Sequence, residues 1–588
     1  MLSNVLPLFR EIWCVDFEYY APDGERPTPL CMVAKEYRSG RVLRFWRNDL
    51  ERMPEAPFNV GQDSLYVGYY TSGDLECFLE LGWDLPVRVM DLYAEFRCIT
   101  NGKWLPSGRG LIGALHYFGL DAMGVDEKSE MRELAKRGGG FTYEEKISLL
   151  EYCESDVDAL VRLLPRISRY FDCNGRICLR GRYTKAVARM EHAGVPIDVP
   201  MLVDIYSYWD HMKMELISRI DRNYGVYEGE HFRHERFDRW LTKLQIPWPR
   251  TETGRLSTTE ATFKDMAKMH PEVAPLRELK ASIDQLRLKD LAVGKDGRNR
   301  VLLSPFGTRT GRNSPSSSRF IFGNSVWIRG LIKPAPGCAL AYIDWSAEEF
   351  AIGAVLSGDP KMIDAYTSGD PYLTFAKQAG LAPSDATKQT HSHIRDQFKI
   401  ICLGVNYGMG ANSLAQRIGC HTLWAKYLLD LHKKTFPVYW RWSGGAVDRA
   451  MTTGVLHNVY GWAIHYSDDS KPRFLQNFPI QGNGAEMMRL ASCLATENGV
   501  KVVAPVHDAF LIEAPLDEID QHIDITKAAM GRASRYVLNG FELRVDCQKF
   551  SYPNRFMDKR GSVMWNTVSS IIREMKGLGE NEEAELRQ

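Results

Sequence analysis

A chain of 588 residues is too long for a single hydrophobic core, so length alone calls for several domains. Its 44% apolar and 25% charged residues are ordinary for a globular protein, and no apolar run approaches the roughly 18 residues of a membrane helix, which excludes a membrane-spanning reading. The 74 basic and 74 acidic side chains cancel, so net charge does not by itself point to nucleic acid. The 12 cysteines include no CxxC pair and read as reduced thiols in a cytosol.

Up to about residue 170, short apolar strands (Ile12–Val15, Ser64–Tyr69) alternate with helical segments such as Glu144–Tyr170, the pattern of an α/β domain. No basic, small-residue leader precedes them, so no signal peptide is expected. On the first strand Asp16 and Glu18 are two residues apart and share a face. Asp74 offers a third carboxylate and Asp156 a fourth, with Tyr152 one helical turn from Asp156. Residues around 180–300 read as an extended helical arm, polar and without a continuous apolar strand (Met201–Tyr224, Thr259–Leu291). Between Ser304 and Lys333 there is no acid, while Arg309, Arg312, Arg319, Arg329 and Lys333 make a cationic strip able to neutralise phosphates. Apolar strands return at Val301–Leu303, Leu340–Ile343, Val502–Val506 and Ala509–Glu513, around a helical stretch from about 360 to 470. The charged tail Glu580–Gln588 is expected to fray.

Asp344 ends the Leu340–Ile343 strand, and His507 and Asp508 sit at the bend of a hairpin. Either Asp alone reads as a turn former. Brought together from distant strands, they are what a two-metal phosphoryl-transfer site requires. Arg395, Lys399, Leu403 and Tyr407 follow one another at i+4 steps and share one helix face. Two cations at that spacing repel mildly, so the pair calls for an anion, and a triphosphate beside a stacked base suits it.

These segments resemble motifs A, B and C of family-A DNA polymerases, of the bacterial DNA polymerase I type, in the family's order. Asp344-Trp345-Ser346-Ala347-Glu348-Glu349 resembles Asp-Tyr-Ser-x-x-Glu, and Arg395, Lys399, Tyr407 and Gly408 match motif B. His507-Asp508 matches motif C, Arg473, Asn477, Gln481 and Gly482 match Arg-x3-Asn-x-Pro-x-Gln-Gly, and Thr310-Gly311-Arg312 matches the Thr-Gly-Arg segment. The resemblance implies that Asp344 and Asp508 hold two Mg²⁺ ions, with Mn²⁺ able to substitute and the Trp345 carbonyl helping. It implies that Arg395 and Lys399 grip the triphosphate, with Lys399 protonating pyrophosphate, and that Tyr407 stacks near the templating base. Glu349 would crowd the 2′ position, Arg312, Arg473, Asn477 and Gln481 would contact primer-template DNA, and His507 the primer end. Asp16, Glu18, Asp74, Asp156 and Tyr152 are similar to the DEDDy 3′→5′ proofreading exonucleases, two more metals being caged there and a water oriented by Tyr152. The Tyr-x3-Asp spacing favours Asp156 over Asp158, although Tyr70 stands where that family has Asn.

The implied fold is α/β plus α. An RNase H-like exonuclease domain (1–175) is followed by a right-hand polymerase: thumb (176–300), palm (301–360), fingers (361–485) and palm again (486–588). Three positions depart from the family pattern. Ala509 replaces the motif C acid, with Glu348 and Glu513 as the acids available to substitute. Leu403 stands at the position linked to 3′-OH discrimination, and Trp345 replaces Tyr. The chain begins almost at the exonuclease segment, with no 5′-nuclease domain, which looks most like a monomeric phage replicative enzyme in the host cytoplasm. Such an enzyme takes deoxynucleoside triphosphates and works beside a helicase and a single-strand binding protein. Glu349 and the exonuclease acids argue against a single-subunit RNA polymerase, and the four residues Asp344, Asp508, Arg395 and Lys399 against an inactive DNA-binding descendant.

Overall fold

The computed structural model describes residues 6–121, 125–171, 174–251, 253–284 and 290–577. The tail expectation at Glu580–Gln588 and residues 285–289 of the expected Thr259–Leu291 helix lie outside them. The fold is mixed α/β with large helical parts, the class expected.

The first sheet has strand order β3-β2-β1-β4-β5: β1 (Glu11–Tyr20), β2 (Thr28–Glu36), β3 (Val42–Trp46), β4 (Ser64–Gly68) and β5 (Val89–Asp91). β1 is antiparallel to β2 and parallel to β4. Both faces are covered. Trp13, Val15 and Phe17 point into one core with Leu75 and Phe78 of helix α1 (Ser72–Glu80). Ile12 and Cys14 point into the other, with Leu149, Cys153 and Val157 of α2 (Tyr143–Ile167). Alternation then puts Asp16 and Glu18 on the α2 face. A capping box fixes the start of α2, Thr142 accepting from Glu145 N and Glu145 from Thr142 N.

Helix α3 (Asn174–Ala193) runs unbroken through residue 175, where a domain border was expected, and packs on α1 and β5 as well as on the second sheet. The arm that follows is less continuous than its sequence suggests. Met201–Tyr224 is two helices, Val199–Ser207 and Trp209–Asp221, and a further break falls at His270-Pro271, where proline has no N–H to continue the ladder. Two short strands, Tyr227–Glu228 and His231–Phe232, also form there. Val301–Leu303 is not a strand: the Leu303 N–H donates to the buried carboxylate of Glu191 at 2.5 Å instead of to a neighbouring strand.

The second sheet has order β7-β8-β6-β9, all antiparallel: β6 (Cys338–Trp345), β7 (Lys501–Val506), β8 (Ala509–Pro515) and β9 (Val545–Ser551). Between β6 and β7 come α4 (Glu348–Ser357), α5 (Ser392–Asn406) and the long α6 (Pro472–Glu497), which is continuous across the expected border at 485. Ala339, Ala341 and Ile343 bury one face of β6, leaving Tyr342 and Asp344 on the other.

Candidate active sites

β6 lies between β8 and β9 in the second sheet. Its Asp344 stands opposite Ala509 of β8 on one side and Asp546 of β9 on the other, so all three side chains project from the same face. The β7–β8 turn puts His507 in the left-handed region (φ 55°), and Asp508 follows; the Asp508 carbonyl accepts from Trp345 N at 3.4 Å. Past the strand, Ala347 is also left-handed (φ 52°), which turns the chain sharply into α4 and brings Glu348 and Glu349 to the same space.

That space is a cleft of about 1090 Å³ lined by Arg312, Asp344, Trp345, Glu349, Arg395, Lys399, Leu403, Tyr407, His507 and Asp508 among others. Every polymerase residue predicted from motifs A, B and C therefore meets in one place. The remaining three sit on α6 at i+4 spacing. Gln481 lies beside the Tyr407 hydroxyl, and Asn477 is buried with Oδ1 lacking a partner among the described residues. The stem of Arg473 packs against Gly408, where a Cβ would come within 2.6 Å, and Arg473 does not line the cleft among the described residues.

The cleft has two ends of opposite character. At the acidic end, burial and then the charges of Asp508 and Asp546 push Asp344 up to about 7, with Lys399 opposing. Burial likewise raises Asp508, opposed by Arg312 and His507. Buried carboxylates held above their ordinary range fit a hard divalent cation, which would replace the protons they otherwise hold. At the basic end Arg395 pairs with Asp370 at 2.5 Å, and both Arg395 and Lys399 lie over the Tyr372 ring. Between them Tyr407 donates to Glu349 at 3.1 Å, and Arg312 stands 3.7 Å from Glu349.

A second acidic cluster lies on the α2 face of the first sheet. One carboxylate oxygen each of Asp16, Glu18 and Asp156 comes within 4.8 Å of the others, a group able to hold a cation. Tyr152 adjoins it: burial and then Asp156, Glu18 and Asp16 raise its hydroxyl pKa. Asp74 is not in that group. It is buried, accepts from Tyr66 at 3.4 Å, and is held well above the usual carboxylate range by burial and then by Asp16 and Asp91. Asp158, the alternative to Asp156, pairs with Lys35 at 2.7 Å.

Sequence reasoning missed several contributors. Asp546 and Arg544 line the first cleft from β9 and the turn before it, and Ser346 donates to Asp546 at 2.5 Å. Their segment carries no motif, and only pairing with β6 brings them in. Asp91 was also missed: it accepts from Tyr70 N and Thr71 N and so fixes the loop leading to Asp74, with Tyr70 left-handed (φ 65°). Glu513, offered as a substitute for the missing motif C acid, is corrected here. It lies opposite Leu340, four residues back along β6, and is held by Arg298 and Lys501 at 2.6 Å each.

An interrupted antiparallel sheet gathers acids at one end of a cleft and cations at the other, an arrangement able to hold a cation beside an anion. The sequence model of DNA polymerase family A matches residues 236–549, and the chain belongs to that family. It is 23% identical over 571 residues to DNA polymerase I of Aquifex aeolicus, covering 84% of this chain and 96% of the relative. It is 26% identical to the thermostable DNA polymerase I of Thermus thermophilus, over 60% of this chain and 45% of the relative. DNA polymerase I of Deinococcus radiodurans is 27% identical, over 58% and 38%. The chain thus spans less than half the length of the last two. Its fold is similar to the solved POL domain of Pol1 from M. smegmatis in complex with DNA primer-template and dNTP, with TM-score 0.67, 18% identity, and 95% and 96% of the two chains covered.

Proposed function

We propose that this chain is a template-directed DNA polymerase that extends a primer 3′ end by two-metal phosphoryl transfer and trims that end at a separate 3′→5′ exonuclease centre. The observation that carries the reading is the meeting of Asp344 and Asp508 with Arg395 and Lys399 in one cleft, a cation-holding end beside an anion-holding end. Family membership, matched over residues 236–549, supports the polymerase part of it.

In this reading Asp344 and Asp508, with the Trp345 carbonyl, hold two Mg²⁺ ions, for which Mn²⁺ substitutes. When bound, such ions neutralise phosphate charge and make the primer 3′-hydroxyl more acidic. Arg395 exchanges Asp370 for the incoming triphosphate, and Lys399 gives a proton to the departing pyrophosphate. Glu349, steadied by the Tyr407 hydroxyl, crowds the 2′ position. Tyr407 stacks near the templating base and Leu403 faces the sugar. Arg312, Asn477 and Gln481 track the minor groove, where acceptor positions are shared by all correct pairs, and Arg473 contacts the DNA. His507 meets the primer end. In the exonuclease centre Asp16, Glu18 and Asp156, with Asp74, hold the cations, and Tyr152 orients the attacking water.

Residues 1–175 then act as the exonuclease, 176–300 as thumb, 301–360 and 486–588 as palm, and 361–485 as fingers. The biological role we assign is DNA replication, of a phage genome in the host cytoplasm, beside a helicase and a single-strand binding protein. The test is an end-labelled primer on a longer template in Mg²⁺, resolved on a gel. Extension with deoxynucleotides and shortening without them are expected; a primer unchanged in both would refute the reading.

A further inference from the structure

Glu348 opens α4 with only 3% of its surface exposed, yet it lines the cleft. A carboxylate so buried is costly unless it is paired and hydrogen-bonded. Its Oε1 has no hydrogen-bond partner among the described residues. Its cation, Arg312, stands 3.9 Å away, beyond hydrogen-bond reach, and is shared with Glu349. The charges acting on it most are Asp508, Arg312, Glu349 and Asp344, so three of the four repel it.

The fold nevertheless makes room for this group. A Cβ on Gly484, inside α6, would lie 2.9 Å from Glu348 Oε1 and 3.4 Å from Arg312. Glycine within a helix costs about 1 kcal/mol relative to alanine, and no left-handed backbone at Gly484 calls for it. The missing side chain is what accommodates the carboxylate. The protein thus builds a buried acid site and leaves it short of positive charge.

We propose that Glu348 is a third carboxylate of the cleft, a positioning residue that supports the divalent cation held by Asp344 and Asp508. The inference rests on the reading of this cleft as the site of nucleotide addition. A divalent cation brings the positive charge that the cluster lacks, and an outer carboxylate facing its hydration water fixes the ligands that hold it.

The test is Mn²⁺ binding followed by electron paramagnetic resonance. The full chain carries Asp16→Ala and Glu18→Ala to weaken the second cluster's contribution, and is measured with and without Glu348→Gln. The variant is expected to bind Mn²⁺ at the cleft roughly ten- to hundredfold more weakly, without a lower unfolding temperature. Gly484→Ala, which keeps the charge but displaces the carboxylate, is expected to weaken binding in the same direction. Mn²⁺ affinity unchanged in both variants overturns the proposal. The titration uses neither DNA nor nucleotide, so failure of the unmodified protein to extend a primer would count against the proposed function and not against this result.

Discussion

Asp344 and Asp508 arrive from strands far apart in the chain and share the burden of the acidic end. Replacing either with Asn keeps the shape and removes the charge. Primer extension should then fall by about a thousandfold or more, the scale on which charge stabilisation at such sites acts, while primer shortening without nucleotides stays near the unmodified rate. Glu349 is fixed by Tyr407, so Glu349→Ala should admit ribonucleotides; the ratio of deoxy- to ribonucleotide incorporation checks this, and equal use of both sugars by the unmodified chain would sink the assigned role. The raised pKa of Asp344, about 7, has a consequence for stability. The unfolded carboxyl titrates near its ordinary value of about 3.9. Between those values the native state keeps a proton that the unfolded state has lost, so stability falls as pH rises through the window. Thermal unfolding of the cation-free protein should show Asp344→Asn more stable than the parent at pH 8 and little different near pH 4. Added Mg²⁺ at pH 8 should stabilise the parent more than the variant.

Strands and helices were legible to different depths. The i+4 row from Arg395 to Tyr407 becomes α5 and its cap, and the His507-Asp508 bend becomes the β7–β8 turn, because both signals are local. The Val301–Leu303 strand failed because a buried carboxylate on α3 took its N–H, a contact no window of sequence contains. The same helix shows how the two sheets are joined. A Cβ on Gly181 of α3 would sit 1.8 Å from the carbonyl oxygen of Val89 in β5, and backbone cannot swing aside. Gly181→Ala should therefore destabilise the protein by about 1–3 kcal/mol, measured by thermal unfolding, despite alanine's better helix propensity.

Across the whole molecule the two acidic clusters belong to separate sheets, so their activities should separate. Asp16→Ala with Glu18→Ala is expected to abolish primer shortening and leave extension near its unmodified rate; persistent shortening in that double variant would remove the exonuclease centre from the first sheet. Sequence by itself determined the family and which residues to look for in the cleft, since an acid at a strand end, a cationic helix face and a hairpin bend are each set by local periodicity and turn geometry. Tertiary structure alone decided which further acids join them. Strand register brings Asp546 beside Asp344 and holds Glu513 away. Asp74 is buried outside the Asp16–Glu18–Asp156 group, and a glycine on a distant helix makes space for Glu348. Each depends on contact between segments far apart in the chain, and in the sheet one residue of register shift would turn every side chain to the opposite face.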